Sequence, residues 1–373
     1  MIFTYLFLLL FLAYSFLILF YLRGWKKIPD FKISENKEPV FISVIIPARN
    51  EEENIERLLI SLNNQSYLKQ NFEIILIDDH STDNTANIIS RFVNDRIHLI
   101  QLKEDELNSY KKKALEKGIE KASGELIVTT DADCIAQIDW LKTIAAFYAE
   151  KNPVFIAAPV LIENDNSFLQ LFQTTDFMVL QGITGASVHE NFHSMSNGAN
   201  LAYERKVFFE VGGFSGIDHI ASGDDMLLMH KFKEKYPNRI AYLKSKEAIV
   251  CTRPAESWNG FLNQRTRWAS KINHYQDKRI TTVLALVYFF NLSLFLVFLL
   301  GFWQTDFWYV FMIGLFLKSL IEFPFVFTLA NFFEKRFLLK YFFIFQPLHI
   351  FYTVVAGFLG LTGKYTWKNR RVK

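Results

Sequence analysis

The chain has 373 residues, 51% hydrophobic, 16% aromatic and only 21% charged, with 39 phenylalanines. That length exceeds one ordinary domain, and that composition excludes a disordered or collagen-like chain. Its 41 basic and 38 acidic side chains leave a formal charge of +3, too balanced to point to nucleic acid as a partner. Cys134 and Cys251, with no C-x-x-C between them, exclude a disulfide scaffold and a zinc ribbon and read as reduced thiols facing the cytoplasm.

Residues 2–22, IFTYLFLLLFLAYSFLILFYL, carry no charge and suffice for the roughly 20 residues that cross a hydrocarbon core. A signal peptide would start with Lys or Arg and end in small residues. This segment does neither and is followed by Arg23, Lys26 and Lys27, so it reads as an uncleaved anchor whose C-terminal end is cytoplasmic.

From Pro39 to about Tyr275, short β-branched runs alternate with amphipathic stretches. FISVIIP at 41–47, FEIILID at 72–78, RIHLIQL at 96–102 and GELIVTTD at 124–131 predict strands buried on both faces. Helices are predicted over 51–62, 82–92 and 111–122, with Ser81, Thr82 and Asp83 as capping side chains. Such alternation implies right-handed βαβ units and a doubly wound parallel sheet, whose ligands bind beyond the carboxyl ends of the strands.

At those ends stand Pro47, Arg49, Asn50 and Glu51 after the first strand, Asp78, Asp79 and Ser81 after the second, and Asp131 and Asp133 after the fourth. A lone D-x-D is most often a cap or a solvated turn, yet two carboxylates one residue apart also suit a hard divalent cation shared with phosphate. Here three polar clusters converge on one rim. His189 and His193 lack the Glu of an H-E-x-x-H site and read as loop residues near an acceptor path.

Over 256–275, Trp258, Phe261, Leu262, Arg265, Ala269 and Ile272 recur at helical spacing, with Lys271, Lys278 and Arg279 close by. That pattern predicts an amphipathic helix lying against membrane lipids. Three further apolar segments follow, roughly 280–303, 307–331 and 341–362. Three full crossings would put the basic tail, with Lys364, Lys368, Arg370, Arg371 and Lys373, on the side opposite to Arg23. The middle segment holds Lys318 and Glu322, so a re-entrant or interfacial element and a full span both stay open for it.

SVIIPARNEEENI at 43–55, ILIDDHSTDNT at 75–85, KKKALEKGI at 111–119 and GELIVTTDAD at 124–133 resemble the nucleotide-sugar half of family 2 glycosyltransferases, which have the GT-A fold. SNGANLAYERKVFFEVGGF at 196–214, SGDDMLLMHKF at 222–232 and QRTRW at 264–268 resemble the acceptor-side segments of membrane-bound members. The resemblance spans about Val40 to Lys271, in family order. It implies an α/β, mostly parallel GT-A domain at 38–255 in the cytoplasm, between an anchor at 1–23 and an interfacial helix at 256–279. Membrane segments at 280–363 and the basic tail at 364–373 complete a multi-pass protein of the cell membrane.

The resemblance also implies roles. Pro47, Arg49 and Glu51 would border the nucleotide's base and ribose, and Asp79, with Asp78 as partner, would accept a hydrogen bond from the base. His80 stands where the family often has Gly and reads as an exposed turn residue. Lys111 matches the family's Gly-Lys position and would reach the diphosphate, although Tyr110 replaces the Gly; Lys112 and Lys113 read as solvated. Asp131 and Asp133 match the metal motif and would hold Mg²⁺ or Mn²⁺ against the leaving diphosphate. Asp225 matches the general base, and Asp224 replaces the family's usual Glu beside it. Asn200 would contact the donor sugar. Gln264, Arg267 and Trp268 match Q-x-x-R-W, with Arg267 approaching the diphosphate and Trp268 stacking on the acceptor.

The implied activity is inverting, metal-dependent sugar transfer from a nucleotide-sugar donor, with uridine diphosphate the expected carrier, to a lipid or lipid-linked acceptor. Processive synthesis of a polysaccharide on a glycan acceptor is the alternative, and a catalytically silent membrane scaffold is the alternative of another class.

Overall fold

The computed structural model describes residues 2–33, 38–103, 109–163, 167–220, 223–361, 365–367 and 370–372. The side chains of the basic tail and Ser222 of the acid-pair segment lie outside the described residues. The chain forms two compact units, one of residues 1–27, 164–186 and 254–373 and the other of residues 28–163 and 187–253.

After helix α1 (Ile2–Lys27), strand and helix alternate through β1 (Ile42–Ala48), α2 (Ile55–Asn63), β2 (Phe72–Asp78), α3 (Thr85–Ser90), β3 (Ile97–Gln101), α4 (Tyr110–Lys121) and β4 (Leu126–Thr129). Then come β5 (Ile135–Ala136), α5 (Trp140–Lys151), β6 (Phe155–Ala157), β7 (Val160–Ile162) and the long α6 (Phe168–His189). The α/β unit closes with β8 (Leu201–Glu204), α7 (Arg205–Glu210), α8 (Met226–Lys235), β9 (Ile240–Tyr242) and β10 (Val250–Thr252). Helices α9 (Trp258–Ala269), α10 (Lys278–Leu300), α11 (Asp306–Phe332) and α12 (Phe342–Gly360) follow.

A seven-stranded sheet in the order β3-β2-β1-β4-β8-β6-β9 organises the α/β unit. Its first four strands are parallel, as their apolar runs imply; every residue of β2 is buried, and every residue of β1 except Pro47. The sheet departs from a wholly parallel one at β8, antiparallel to both β4 and β6. Ala48 is in register with Asp78 and Ile45 with Thr129, so β1 and β2 end level while β4 stops earlier. Pro47, which has no N–H to donate, therefore lies beyond the β4 ladder.

Helices α2 and α3 begin later than the periodicity predicts because the turns before them are bonded to each other. Glu51 N donates to Thr85 Oγ1 at 2.7 Å, Glu52 N to Asp83 Oδ2 at 3.1 Å and Thr82 N to Asn50 Oδ1 at 2.8 Å. The N-cap of α3 is Asn84, whose side chain makes no cap bond; Asp83, one residue earlier, accepts from Thr85 N at 3.0 Å.

In the helical unit, α1, α10, α11 and the segment Arg336–Gly360 are long and apolar enough to cross a membrane. The middle C-terminal segment is one unbroken helix rather than a re-entrant pair. Its Lys318 is fully buried and ion-paired to Glu322 at 2.7 Å; Gln346 and Tyr14 also donate to Glu322. A charge pair satisfied in this way can lie inside a helical bundle. Helix α9 differs from the interfacial helix expected over 256–279. It ends at Ala269, runs into a 3₁₀ turn at Ser270–His274, and packs Phe261 against Phe172 of α6 and Tyr352 of α12 at 5.6 and 5.2 Å between ring centres. Trp258 alone among its large apolar side chains stays 46% exposed.

Candidate active site

The two turns that follow β1 and β2 form one wall. Asn50 and His80 both adopt left-handed backbone, with φ of 49° and 52°. Arg49 reaches across and donates to the main-chain oxygens of Asp79 and His80 at 2.7 and 3.1 Å. Asn50 N donates to Ser81 Oγ at 3.0 Å, and Glu51 accepts from Asn54 at 2.7 Å. Asp79 is buried with its Oδ1 3.0 Å from His80 Nδ1, so His80 belongs to the wall instead of to an exposed turn. Asp78 is only 5% exposed, yet its Oδ1 accepts no hydrogen bond among the described residues. A buried carboxylate oxygen left bare is costly unless a donor reaches it.

Beside this wall, α4 begins with Tyr110, whose ring meets His80 edge-on at 5.9 Å between ring centres, and Lys111. The Lys111 ammonium pairs with Asp131 at 2.7 Å and with Asp224 at 3.2 Å. Its side chain is 24% exposed; burial alone would lower its pKa, but Asp131, Asp224 and Asp225 outweigh that and raise it above the ordinary value. Asp225 caps α8, its Oδ1 accepting from Met226 N at 2.7 Å while its Oδ2 accepts from Gly198 N at 3.3 Å. A Cβ at Gly198 would sit 3.1 Å from Asp224 Oδ2 and 3.3 Å from Lys111 Nζ, so a side chain there would press on this ion pair. Asp133 Oδ2 accepts from Thr252 Oγ1 at 3.3 Å at the end of β10. Folding thus gathers the D-x-D turn, the acid pair and the Asn197–Asn200 loop around one ammonium.

Several expectations are corrected by this geometry. Asn200 is fully buried: its Nδ2 donates to Pro159 and Ala248 oxygens, both at 2.8 Å, and its Oδ1 accepts from Trp140 Nε1 at 3.0 Å. With both N–H groups and the oxygen of its amide engaged, it ties the interior together and leaves no donor for a sugar. Lys112 is 1% exposed rather than solvated, because it donates to the carbonyls of Ile217 and Ile220 at 2.7 and 2.6 Å. Lys113 is half-exposed and paired with Glu116 at 2.9 Å. His189 ends α6, and His193 is buried with Nε2 3.1 Å from Ser187 Oγ, so neither is an open loop residue.

Gln264, Arg267 and Trp268 belong to the helical unit, half-buried on α9. Arg265, between them, is nearly buried, paired with Asp176 at 2.7 Å and lying 4.2 Å over the Trp268 ring. One face of the expected stacking platform is therefore covered from within. Sequence reasoning missed Thr252 and Asp176 as neighbours of the motif residues, since no spacing links them.

Among the described residues no three His, Cys, Asp or Glu side chains surround one point as a ready cage for metal. The donor set still suits a hard cation: Asp131 and Asp133 supply carboxylate oxygens, Asp131 is 35% exposed, and a diphosphate would complete the coordination. Cys134 is buried beside them, and burial, then the charges of Asp133 and Asp131, push its thiol well up.

Comparison with known proteins agrees with this architecture. Residues 43–221 match the family described as glycosyl transferase family 2. A probable glycosyltransferase, YdaM of Bacillus subtilis strain 168, is 27% identical over 260 residues, covering 67% of this chain and 59% of that protein. A poly-β-1,6-N-acetyl-D-glucosamine synthase of Staphylococcus epidermidis is 29% identical over 244 residues, 63% of this chain and 55% of that one. The chain thus spans less than three fifths of the length of these curated relatives. The solved mannosyltransferase PcManGT from Pyrobaculum calidifontis, in complex with GDP-Man and Mn²⁺, shares the fold with a TM-score of 0.53 at 18% identity, over 91% of this chain and 96% of that one. Residues 43–221 are thus similar to the family 2 glycosyltransferases, and the chain shares the fold of the solved mannosyltransferase.

Proposed function

We propose that the protein is a membrane-embedded, inverting glycosyltransferase that moves a sugar from a nucleotide diphosphate, with uridine diphosphate as the carrier, to a lipid or lipid-linked acceptor at the cytoplasmic face. The observation that carries this reading is the single ammonium of Lys111, ion-paired at once to Asp131 of the D-x-D turn and Asp224 of the acid pair. A donor-side acid and an acceptor-side acid, far apart in sequence, thereby share one site.

In this reading the β1–β2 wall binds the nucleoside. The bare Oδ1 of Asp78 and the carboxylate of Asp79 accept from ribose and base, and Arg49 holds the turn that presents them. Asp131 and Asp133 hold Mg²⁺ or Mn²⁺, in keeping with the Mn²⁺ of the mannosyltransferase that shares the fold. When bound, that cation stabilises negative charge on the leaving diphosphate. Lys111 adds a point charge for the same phosphates. Asp225 accepts the proton of the acceptor hydroxyl as it attacks the anomeric carbon from the side opposite the diphosphate, which inverts the centre. Its bonds from Met226 N and Gly198 N aim the carboxylate without using all its lone pairs. The spanning helices suit an acceptor that stays in the lipid.

A second reading, processive synthesis, is favoured by the likeness to a protein named as a poly-β-1,6-N-acetyl-D-glucosamine synthase. Purified full-length protein in detergent, given membrane lipid extract, Mn²⁺ and a panel of sugar nucleotides, tests both. Metal-dependent release of nucleoside diphosphate with one sugar added to lipid supports the proposal; a ladder of long glycan supports the second reading. No transfer to any acceptor, with Asp225→Asn indistinguishable from wild type, supports a silent scaffold instead.

A further inference from the structure

The Lys111 ammonium lies on Asp131, a carboxylate that a divalent cation would use. It sits 2.7 Å from Asp131 Oδ1 and 3.2 Å from Asp224 Oδ2, and Gly198 leaves room for this pairing by having no side chain. Lys111 starts α4, Asp131 follows β4 and Asp224 precedes α8, so one charge ties three separate elements together.

We propose that Lys111 is an internal counter-ion that occupies the cation site until a donor arrives, and that donor binding and metal binding are coupled through its displacement. This rests on the glycosyltransferase reading above and deepens it. Without a donor, a divalent ion has to compete with the ammonium for Asp131. The donor's diphosphate offers the ammonium a second anionic partner, and the four-carbon stem of lysine lets Nζ pivot onto it. Asp131 is then released for the metal and Asp224 for the acceptor side. Metal alone binds weakly, metal with nucleotide binds tightly, and the acid pair is freed only when the donor is in place.

The test is Mn²⁺ binding followed by electron paramagnetic resonance on the full-length protein in detergent, with and without UDP. Without UDP, Lys111→Met is expected to bind Mn²⁺ about tenfold tighter than wild type, because the competing charge is gone. The enhancement of Mn²⁺ binding by UDP shrinks by a similar factor. Asp224→Asn is expected to act in the opposite direction, holding the ammonium wholly on Asp131 and weakening Mn²⁺ severalfold; opposite signs from two neighbouring substitutions do not arise from misfolding. Lys113→Met, which removes one charge from the same helix where the ammonium faces Glu116, serves as control and leaves Mn²⁺ affinity unchanged.

Equal Mn²⁺ affinity in wild type and Lys111→Met, with UDP still enhancing Mn²⁺ binding in both, overturns the counter-ion while leaving the glycosyltransferase reading intact. An unchanged affinity in Asp224→Asn overturns it as well. Failure of Mn²⁺ to bind wild type under any condition, with UDP binding retained, overturns the metal reading and the counter-ion together.

Discussion

Arg265 and Asp176 form an ion pair at 2.7 Å in which each side chain is only 4% exposed, joining α9 to α6. Arg265 also stacks on Phe261 and Trp268, its Cζ 4.7 and 4.2 Å from the two ring centres, and Tyr352 of α12 donates to the same Asp176. The Q-x-x-R-W helix is therefore held by the residue between its named members. Asp176→Ala leaves a buried guanidinium unpaired and is expected to lower stability by about 3–5 kcal/mol. Thermal unfolding in detergent measures this; an unchanged midpoint refutes it. The double replacement Asp176→Leu, Arg265→Met is expected to recover much of the loss, since neither charge then remains.

Asn200→Ala separates a structural from a sugar-binding role. It strands the Trp140 indole N–H and the Pro159 and Ala248 carbonyls in the interior. Each buried group left without a partner costs about 1–3 kcal/mol. Denaturant unfolding is expected to register a loss of at least about 2 kcal/mol, with the nucleotide-sugar affinity of the folded fraction unaltered. A variant of normal stability and weakened donor affinity would restore the sugar contact expected from the motif.

Asp225→Asn keeps the helix cap, because Asn is as good an N-cap as Asp, but removes the base. Transfer is expected to fall by about 10²- to 10⁴-fold with UDP affinity retained. Steady-state transfer and equilibrium UDP binding, measured on one preparation, check the two halves separately. Equal losses in both would assign Asp225 to binding.

Glu73 supplies a pH dependence. Its carboxylate accepts from Ser43 Oγ and Ser123 Oγ, both at 2.6 Å, and from Ser123 N at 2.7 Å. Burial works to raise its pKa, but these bonds outweigh burial and set it below the ordinary value. A carboxyl whose folded pKa is depressed stabilises the protein above its unfolded pKa, and that share is lost as pH falls through the lowered folded value. Glu73→Gln should thus unfold at a lower temperature than wild type near neutral pH, with the gap closing as pH falls below about 4.5. A gap that widens toward acid would reverse the sign of the argument.

The four parallel strands were legible as β-branched runs because burial on both faces leaves them continuously apolar, and the membrane helices because length and lack of charge suffice. The site was legible as an order of motifs at strand ends. Helix starts at 51 and 82 were misjudged since the main-chain donors there are claimed by the other turn, Glu51 N by Thr85 and Thr82 N by Asn50. Asn200 looked like a loop ligand because its sequence context is a loop; only the packing of Trp140 and Pro159 around it made it interior. Lys112 looked solvated because a run of three lysines usually is.

What the sequence determined by itself is everything that acts over neighbouring residues: the strand and helix periods, the apolar spans and the D-x-D and Q-x-x-R-W spacings. Tertiary structure alone decided who meets whom. Lys111 could have lain on solvent, on phosphate or on either acid, and it lies between Asp131 and Asp224 because α4, the β4 turn and the start of α8 converge there. Charge pairing acts over a few ångströms in space and is indifferent to distance along the chain, so no spacing in the sequence could have announced it.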